Sequence, residues 1–553
     1  MNPEGALNAA SRAIKIDSGK ENAWFIRGGL LMIEALKIEK ESAIRRQLLK
    51  ASRTAIRNVV SVNPLDNIAW RDIGVASKNL GENKEALIAI NKSLTIDSLD
   101  SFAWEEKAAI ETLMRKPEDA IISYQKLLSI KPEHPLAWFY LATIQKHIGK
   151  INDSMVSYFK SVENNPELVE PWKVIGFFWI DNGDVSKAEN AFQRVTNLEP
   201  DDFESWHILG LLSFQSREFE KALKYFEKAI MLNPNYGPSL RAIGRIHYNS
   251  GNFLEALTMF DFAIQTDSSD WESWYLKGLS HENQNHLIEA LESYTEVVHI
   301  DPKFSDGWLR IAKVQKKTGK LDEAFDAFHK TTVLDKKNSE AWYEKGIILI
   351  QNNQLDEALI AISNSLDINS ENGKAWFMKG SLAFSLGNNS EALQAVEKAL
   401  QYDDFNTGRA LQLKGILHFE EGQIKRALNA HEEATKRNPN HSGGWYNMAL
   451  TLEADKKRME AIVAYKKALE TGIENPSLVK NKISNISQEL GYDRLRANNR
   501  DQALKFYKQS LDYTSDPKRL LERLDSEIRK SGVSKNLSKE VREGLKAYLE
   551  KKN

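Results

Sequence analysis

Cysteine is absent from all 553 residues. Disulfides, thiolate metal sites and sulfur nucleophiles go with it, and a reducing compartment suits such a chain. Charge of one sign is missing too: 75 Lys and Arg stand against 77 Asp and Glu, a formal net charge of −2. No global field therefore draws the protein toward nucleic acid or an acidic surface. Long apolar runs are lacking as well. The most hydrophobic stretch, Val174-Ile175-Gly176-Phe177-Phe178-Trp179-Ile180, falls far short of the about 20 residues that span a bilayer. The N-terminus has no basic segment followed by an apolar one. These absences point to a cytoplasmic protein with neither membrane nor nucleic-acid partners.

Signatures of chemistry are missing in the same way. There is no Gly-x-x-x-x-Gly-Lys-Ser/Thr phosphate loop, no His-Glu-x-x-His and no calcium loop. The expectation is a protein that is not an enzyme, with no catalytic residue, metal ligand or cofactor.

What the chain does have is tryptophan on a ruler. Trp70, Trp104, Trp138, Trp172 and Trp206 are each 34 residues apart. Leu240 holds the next register, and Trp274, Trp308, Trp342 and Trp376 resume it. After a one-residue slip that places Leu411 in the lead position, Trp445 opens a further unit. A fixed period of this length means one supersecondary unit copied and stacked.

Other positions keep phase with the lead residue. Four later comes a small residue (Gly74, Ala108, Ala142, Gly176, Gly210, Gly244), and sixteen later Ala (Ala86, Ala120, Ala188, Ala222, Ala256). Twenty later there is usually an aromatic (Tyr124, Tyr158, Phe192, Phe226, Phe260, Tyr294, Phe328). Twenty-eight later Pro recurs (Pro132, Pro166, Pro200, Pro234, Pro302). The spacing Trp, +3, +4, +7 is one face of a first helix, and Ala, +4, +7 one face of a second. Gly inside a helix costs roughly 1 kcal/mol against Ala, so its recurrence predicts close approach of two backbones, with the Ala as the facing small residue. Pro ends the second helix. The indole is expected to wedge at each junction between units.

This pattern resembles the tetratricopeptide repeat family closely, over nearly the whole chain. The resemblance implies an all-α fold: a right-handed α-solenoid superhelix of about thirteen helix–turn–helix units with a helical C-terminal cap. The expected organisation is a half repeat over 1–20, where Ala6, Ala10 and Ala13 keep second-helix register, and a first full repeat with lengthened helices over 21–66. Here 12 residues exceed the period, around the charged stretch 36–42, read as helical. A regular array follows over 67–474, then a degenerate last repeat over 475–516. A basic cap fills 517–553, with helices at 519–530 and 538–552; residues 518–553 carry 11 Lys and Arg against 6 Asp and Glu. His247, His281 and His418 fall seven after their lead residues. That is the family's packing aromatic slot, so they read as core histidines.

In that family the first helices line a concave groove, and positions +1, +5, +8 and +9 face it. The residues so placed include Phe139, Lys146, Lys173, Phe177, Arg241, Arg245, Tyr275, Lys313, Lys316, Lys317, Tyr343 and Phe377. The basic group Arg241, Arg245, Lys313, Lys316 and Lys317 suits an extended segment carrying carboxylates or phosphates. The family's clamp for a chaperone's C-terminal carboxylate is not present: Lys173 is followed by Phe177, and Arg241 by Arg245 with Leu276 next door. The resemblance implies a non-catalytic scaffold that binds an extended peptide or partner protein in the groove. The alternatives are a substrate-recruiting subunit acting in trans with an enzyme such as a glycosyltransferase, and an RNA-binding array, which near-neutral charge disfavours. Self-association through the incomplete N-terminal repeat is a further expectation.

Overall fold

Helix is the only regular structure among the described residues, which are 3–40, 42–402 and 407–552 of this computed structural model. They form two bodies, Met1–Ser273 and Trp274–Asn553. In each, helical hairpins lie against their neighbours along the chain, which is the arrangement of an α-solenoid. No described helix is long and apolar enough to cross a membrane.

The regular unit joins a 13-residue first helix to a 14-residue second helix, as in Phe203–Gln215 and Phe219–Leu232. Many first helices start on a side-chain cap. Asp66, Asp100, Asp202, Asn338 and Asn372 each accept the backbone N–H three residues ahead, satisfying a donor the helix cannot. The turn between the two helices needs one left-handed residue, always eleven after the lead. Gly81, Gly149, Gly183 and Gly251 fill it, then Asn285 and Asn353, and also Arg115 and Arg217; only glycine enters that region without steric cost.

The small residue at +4 makes room for the facing second helix in two ways. In the hairpins of Gly74, Gly346 and Gly380 a Cβ would stand 3.3, 3.5 and 3.2 Å from the backbone carbonyl of the facing Ala86, Ala358 and Ala392, the expected close approach of two backbones. Beyond that expectation, the slot also receives a side chain. A Cβ on Gly176, Gly210 or Gly244 would lie 2.5, 2.5 or 2.6 Å from the ring of Phe192, Phe226 or Phe260. Those rings are fully buried, as are the alanines beside them, Ala188, Ala222 and Ala256. The second helix thus drives a ring into the space that the first helix leaves by omitting a side chain. In the hairpins of Gly74 and Gly346, Ile90 and Ile362 fill the same place.

As a wedge between units should, Trp172 and Trp376 each pack against two successive core clusters, and each lead indole is partly buried. Its second contribution is polar. The indole N–H donates to the carbonyl six residues earlier: Trp138 to Pro132 at 2.6 Å, Trp172 to Pro166 at 2.9 Å, Trp206 to Pro200 at 3.0 Å and Trp308 to Pro302 at 3.1 Å. The recurrent Pro and the recurrent Trp are therefore partners. One ends a second helix, and the other ties the next first helix to the turn so formed.

The hairpin Glu21–Leu36 and Ala43–Val62 is lengthened, with 16 and 20 residues against 13 and 14 in Asn67–Asn79 and Asn83–Ile96. The stretch read as helical over 36–42 is a connector. The helix ends at Leu36, Glu41 lies outside the described residues, and Arg45 donates back to the Ile38 carbonyl at 2.8 Å. A run of Glu and Lys offers no apolar face to bury, so helix is not sustained there.

The unit led by Leu411 lacks an indole at the lead position, and its ring slot holds His431, 1% exposed with Nδ1 unpartnered. The chain closes with Pro476–Arg496 and Arg500–Asp512, then Pro517–Lys530 and Lys535–Lys552. The last two begin two or three residues earlier than expected, because Asp516 and Ser534 cap them through Arg519 N–H and Leu537 N–H. Their apolar stripes, Leu520, Leu524, Ile528, Val541 and Leu545, bury against Leu495, Leu504 and Tyr507.

Two outcomes follow from these slots. Gly210→Ala, ordinarily a gain of about 1 kcal/mol in a helix, should instead lower stability by about 1–2 kcal/mol, because the Phe226 ring must move; thermal denaturation measures this. His431→Phe should raise stability and remove an acid-dependent loss. Burial lowers the His431 pKa to about 4, against roughly 6.5 unfolded. The neutral form is favoured in the fold, so stability is complete above pH 6.5 and falls as pH drops toward 4. About 2 kcal/mol is gone by pH 5, and urea melts at pH 7 and pH 5 should show that difference shrinking in the variant.

Candidate peptide-binding face

The twelve residues expected on the binding face all lie on first helices, six in each body. In the first body Pro135–His147 carries Phe139 and Lys146, Val169–Asp181 carries Lys173 and Phe177, and Gly237–Asn249 carries Arg241 and Arg245. In the second, Tyr275 lies on Trp271–Asn283, the three lysines on Ser305–Lys317, Tyr343 on Ser339–Gln351 and Phe377 on Gly373–Ser385.

Most of the cations are held by their own chain. Lys173 sits 2.7 Å from Asp202 and 3.4 Å from Glu199. Arg241 pairs with Asp270 and, at 2.9 Å, with Glu272. Lys313 reaches Glu340 at 2.7 Å, Lys316 pairs with Glu344, and Lys317 reaches Glu282 at 2.9 Å. The pairs at +1 recur: Arg71, Lys173 and Arg241 each reach the Asp that opens the following unit, Asp100, Asp202 or Asp270. These cations fasten one unit to the next, so of the five expected to meet an acidic ligand, four (Arg241, Lys313, Lys316 and Lys317) already have carboxylates. Glu282 alone takes Lys317 and Arg310, and accepts from the Tyr294 hydroxyl at 3.0 Å.

The charges carry the imprint of this pairing. Burial would lower the Lys173 pKa, but its bonds to Asp202 outweigh that and raise it. Burial likewise pushes the Asp202 carboxyl up, and Lys173 and Ser205 bring it below the usual carboxylate range. His207, buried with Nδ1 2.9 Å from the Ser239 hydroxyl, is driven to about 4 by burial first and then by the Arg241 charge.

Two cations of the expected face make no ion pair among the described residues. Lys146 is exposed, and Arg245 lies 5.4 Å from the centre of the Phe214 ring. Around Arg245 the first-helix face is apolar. Phe177 is 49% exposed, Ile180 37% and Leu211 46%, with Phe214 half-buried beside them. Phe177 and Leu211 hold the same place in consecutive units, as do Ile180 and Phe214. Phe177 meets the buried Phe192 ring edge-on at 5.2 Å, which fixes its orientation. Phe139, Tyr275, Tyr343 and Phe377 are instead half-buried against their own cores. Sequence reasoning found Phe177 and passed over Ile180, Leu211 and Phe214, although apolar residues at +5 and +8 in two successive units were a readable signal. Among the described residues no group of three His, Asp or Glu side chains could hold a metal ion.

Tetratricopeptide repeat models match residues 203–236, then 241–303, 309–372 and 413–476, and residues 373–406. None of the curated proteins compared matches the chain. Among solved structures it is similar to YrrB, described as a tetratricopeptide protein with an unusual peptide-binding site: 22% identity over 33% of this chain and 94% of that one, TM-score 0.31. It is also similar to PilF of Pseudomonas aeruginosa, at 17% identity over 37% of this chain and 93% of that one, TM-score 0.33. A repeat protein of Parabacteroides merdae aligns at 16% identity over 51% and 98%, TM-score 0.28.

Arg241→Met should separate the structural role of the paired cations from binding. Stability should fall by about 1 kcal/mol, less at high salt. The His207 imidazole, relieved of a neighbouring charge, should titrate at higher pH by NMR. An unmoved His207 titration would dissociate it from Arg241.

Proposed function

Because the chain is a tetratricopeptide repeat protein, we propose that it is a non-catalytic scaffold that holds an extended peptide along its first helices. The observation that carries this reading is the exposed apolar row Phe177, Ile180 and Leu211 in the first body, with the half-buried Phe214 beside it. Large apolar side chains left in water on consecutive helices are a recognisable docking feature, and their spacing suits alternate side chains of an extended segment. The preferred ligand has apolar residues as anchors and one carboxylate for Arg245. This modifies the acidic-ligand expectation, since the other cations except Lys146 are engaged between units.

Selection of displayed peptides against the full chain tests the proposal. Enriched sequences should carry spaced apolar residues, and their affinity should fall at least about tenfold in Phe177→Ser/Leu211→Ser, a loss of roughly 1.4 kcal/mol or more. Ile122→Ser, on an exposed second-helix position, should bind as the native protein does. Peptides that bind the double variant undiminished would place recognition elsewhere.

A further inference from the structure

The second body contains a cleft of about 600 Å³ lined by Lys466, Lys505, Lys508, Gln509, Tyr513 and Tyr548, with Asp512 at its side. Three helices form it. Arg458–Glu470 brings Lys466, Arg500–Asp512 brings Lys505, Lys508, Gln509 and Asp512, with Tyr513 just past its end, and Lys535–Lys552 brings Tyr548. Lys505, Lys508, Gln509 and Asp512 are spaced as one stripe of a helix.

Its charge balance is unlike that of the first-helix faces. There, cations meet carboxylates of neighbouring units. Here, among the described residues, none of the three lysines forms an ion pair. Lys466 lies 5.5 Å from the centre of the Tyr513 ring and Lys508 5.2 Å from that of Tyr548. Those contacts position the ammonium groups without neutralising them. The lining's one carboxylate, Asp512, is already occupied: it accepts from the Tyr548 hydroxyl at 2.6 Å and pairs with Lys552. The Gln509 amide nitrogen is buried and has no hydrogen-bond acceptor. A buried donor left unmatched is destabilising, so an acceptor brought from outside gains by meeting it.

We propose that this cleft binds a phosphate-type dianion, free or as a phosphate monoester. Three lysines and an amide donor line this open cleft, and its one carboxylate is already engaged. A monovalent carboxylate would leave much of that charge unmatched. A dianion with three or more acceptor oxygens can engage every group, and lysine serves as a point-charge ligand for phosphate. Tyr513 and Tyr548 give the organic part of a monoester an aromatic wall.

Calorimetric titration of the full-length protein with inorganic phosphate and with phenyl phosphate tests this. Both should saturate at one site per chain and weaken with added salt. Affinity for phenyl phosphate should rise from pH 5 to pH 7 as its second proton, with a pKa near 6, is lost; for inorganic phosphate, which loses that proton at higher pH, the rise should extend past pH 7. Tighter phenyl phosphate would identify monoesters as the favoured source, and equal affinities free phosphate. Lys505→Met, a change at an exposed position, should cost about tenfold in affinity, as should Lys466→Met and Lys508→Met; Lys539→Met, outside the cleft, should cost nothing. Circular dichroism confirms that each variant is folded. The proposal is overturned if neither compound saturates below about 10 mM. It is also overturned if Lys505→Met/Lys508→Met binds as the native protein does, or if only phenyl phosphate binds and the lysines make no difference.

Discussion

The structure depends on one interlock: a bulky side chain from the second helix, a ring in many hairpins and Ile90, Ile362 or Val396 in others, enters the space left where the paired first helix carries a small residue. Phe192, Phe226 and Phe260 are fully buried this way, against Gly176, Gly210 and Gly244. The contact is made inside one hairpin, so each unit supplies both halves of its own core joint. Stacking then covers the remaining apolar surface, which no hairpin could bury alone. A glycine costs helix stability wherever it stands, and here the buried ring offsets that cost.

Around this interlock the polar groups are arranged by the same period. Indole N–H groups close onto carbonyls of the preceding turn, as Trp172 does on Pro166 and Trp206 on Pro200. Asp202 and Asp270 cap one helix and simultaneously bind a cation from the unit before. A composition of 75 cations and 77 anions suits such an architecture, where many charges have a countercharge about one repeat away. Near-neutrality here reflects local matching and leaves the first-helix face with little net field. Recognition in the first body then falls to the apolar side chains.

Much of this was legible in the residues. The 34-residue spacing fixes where helices begin and end, because every turn must return the chain to the same phase. Slots such as Ala222 and Phe226 announce burial by recurrence alone. The sequence does not show which group fills the gap at a glycine: small-residue spacing permits either a backbone or a ring, and only coordinates place Phe226 there. Nor does it show that Lys316 is engaged, since its partner Glu344 lies 28 residues on and pairing depends on how neighbouring helices are offset. Phe177 and Leu211 share the +5 position, so both were legible from the period; Leu211 was passed over because its residue type resembles a core Leu. The connector at 37–40 was misread for a related reason: charged residues are compatible with helix, but nothing there holds one.

Where the period lapses, its local solutions lapse with it. At Leu411 the indole is lost and the ring slot receives His431, whose Nδ1 has no partner. Past Asp512 the cap helices are not copies of the repeat, so their acids fall at other offsets. Arg542 finds Asp525 within the cap, while Lys466, Lys505 and Lys508 meet no carboxylate. A repeat neutralises its charges only while each unit faces a like unit, because countercharges sit at fixed offsets. Where a break in register leaves charge uncompensated, as at Lys466, Lys505 and Lys508, a ligand from outside the chain can supply what the period no longer does.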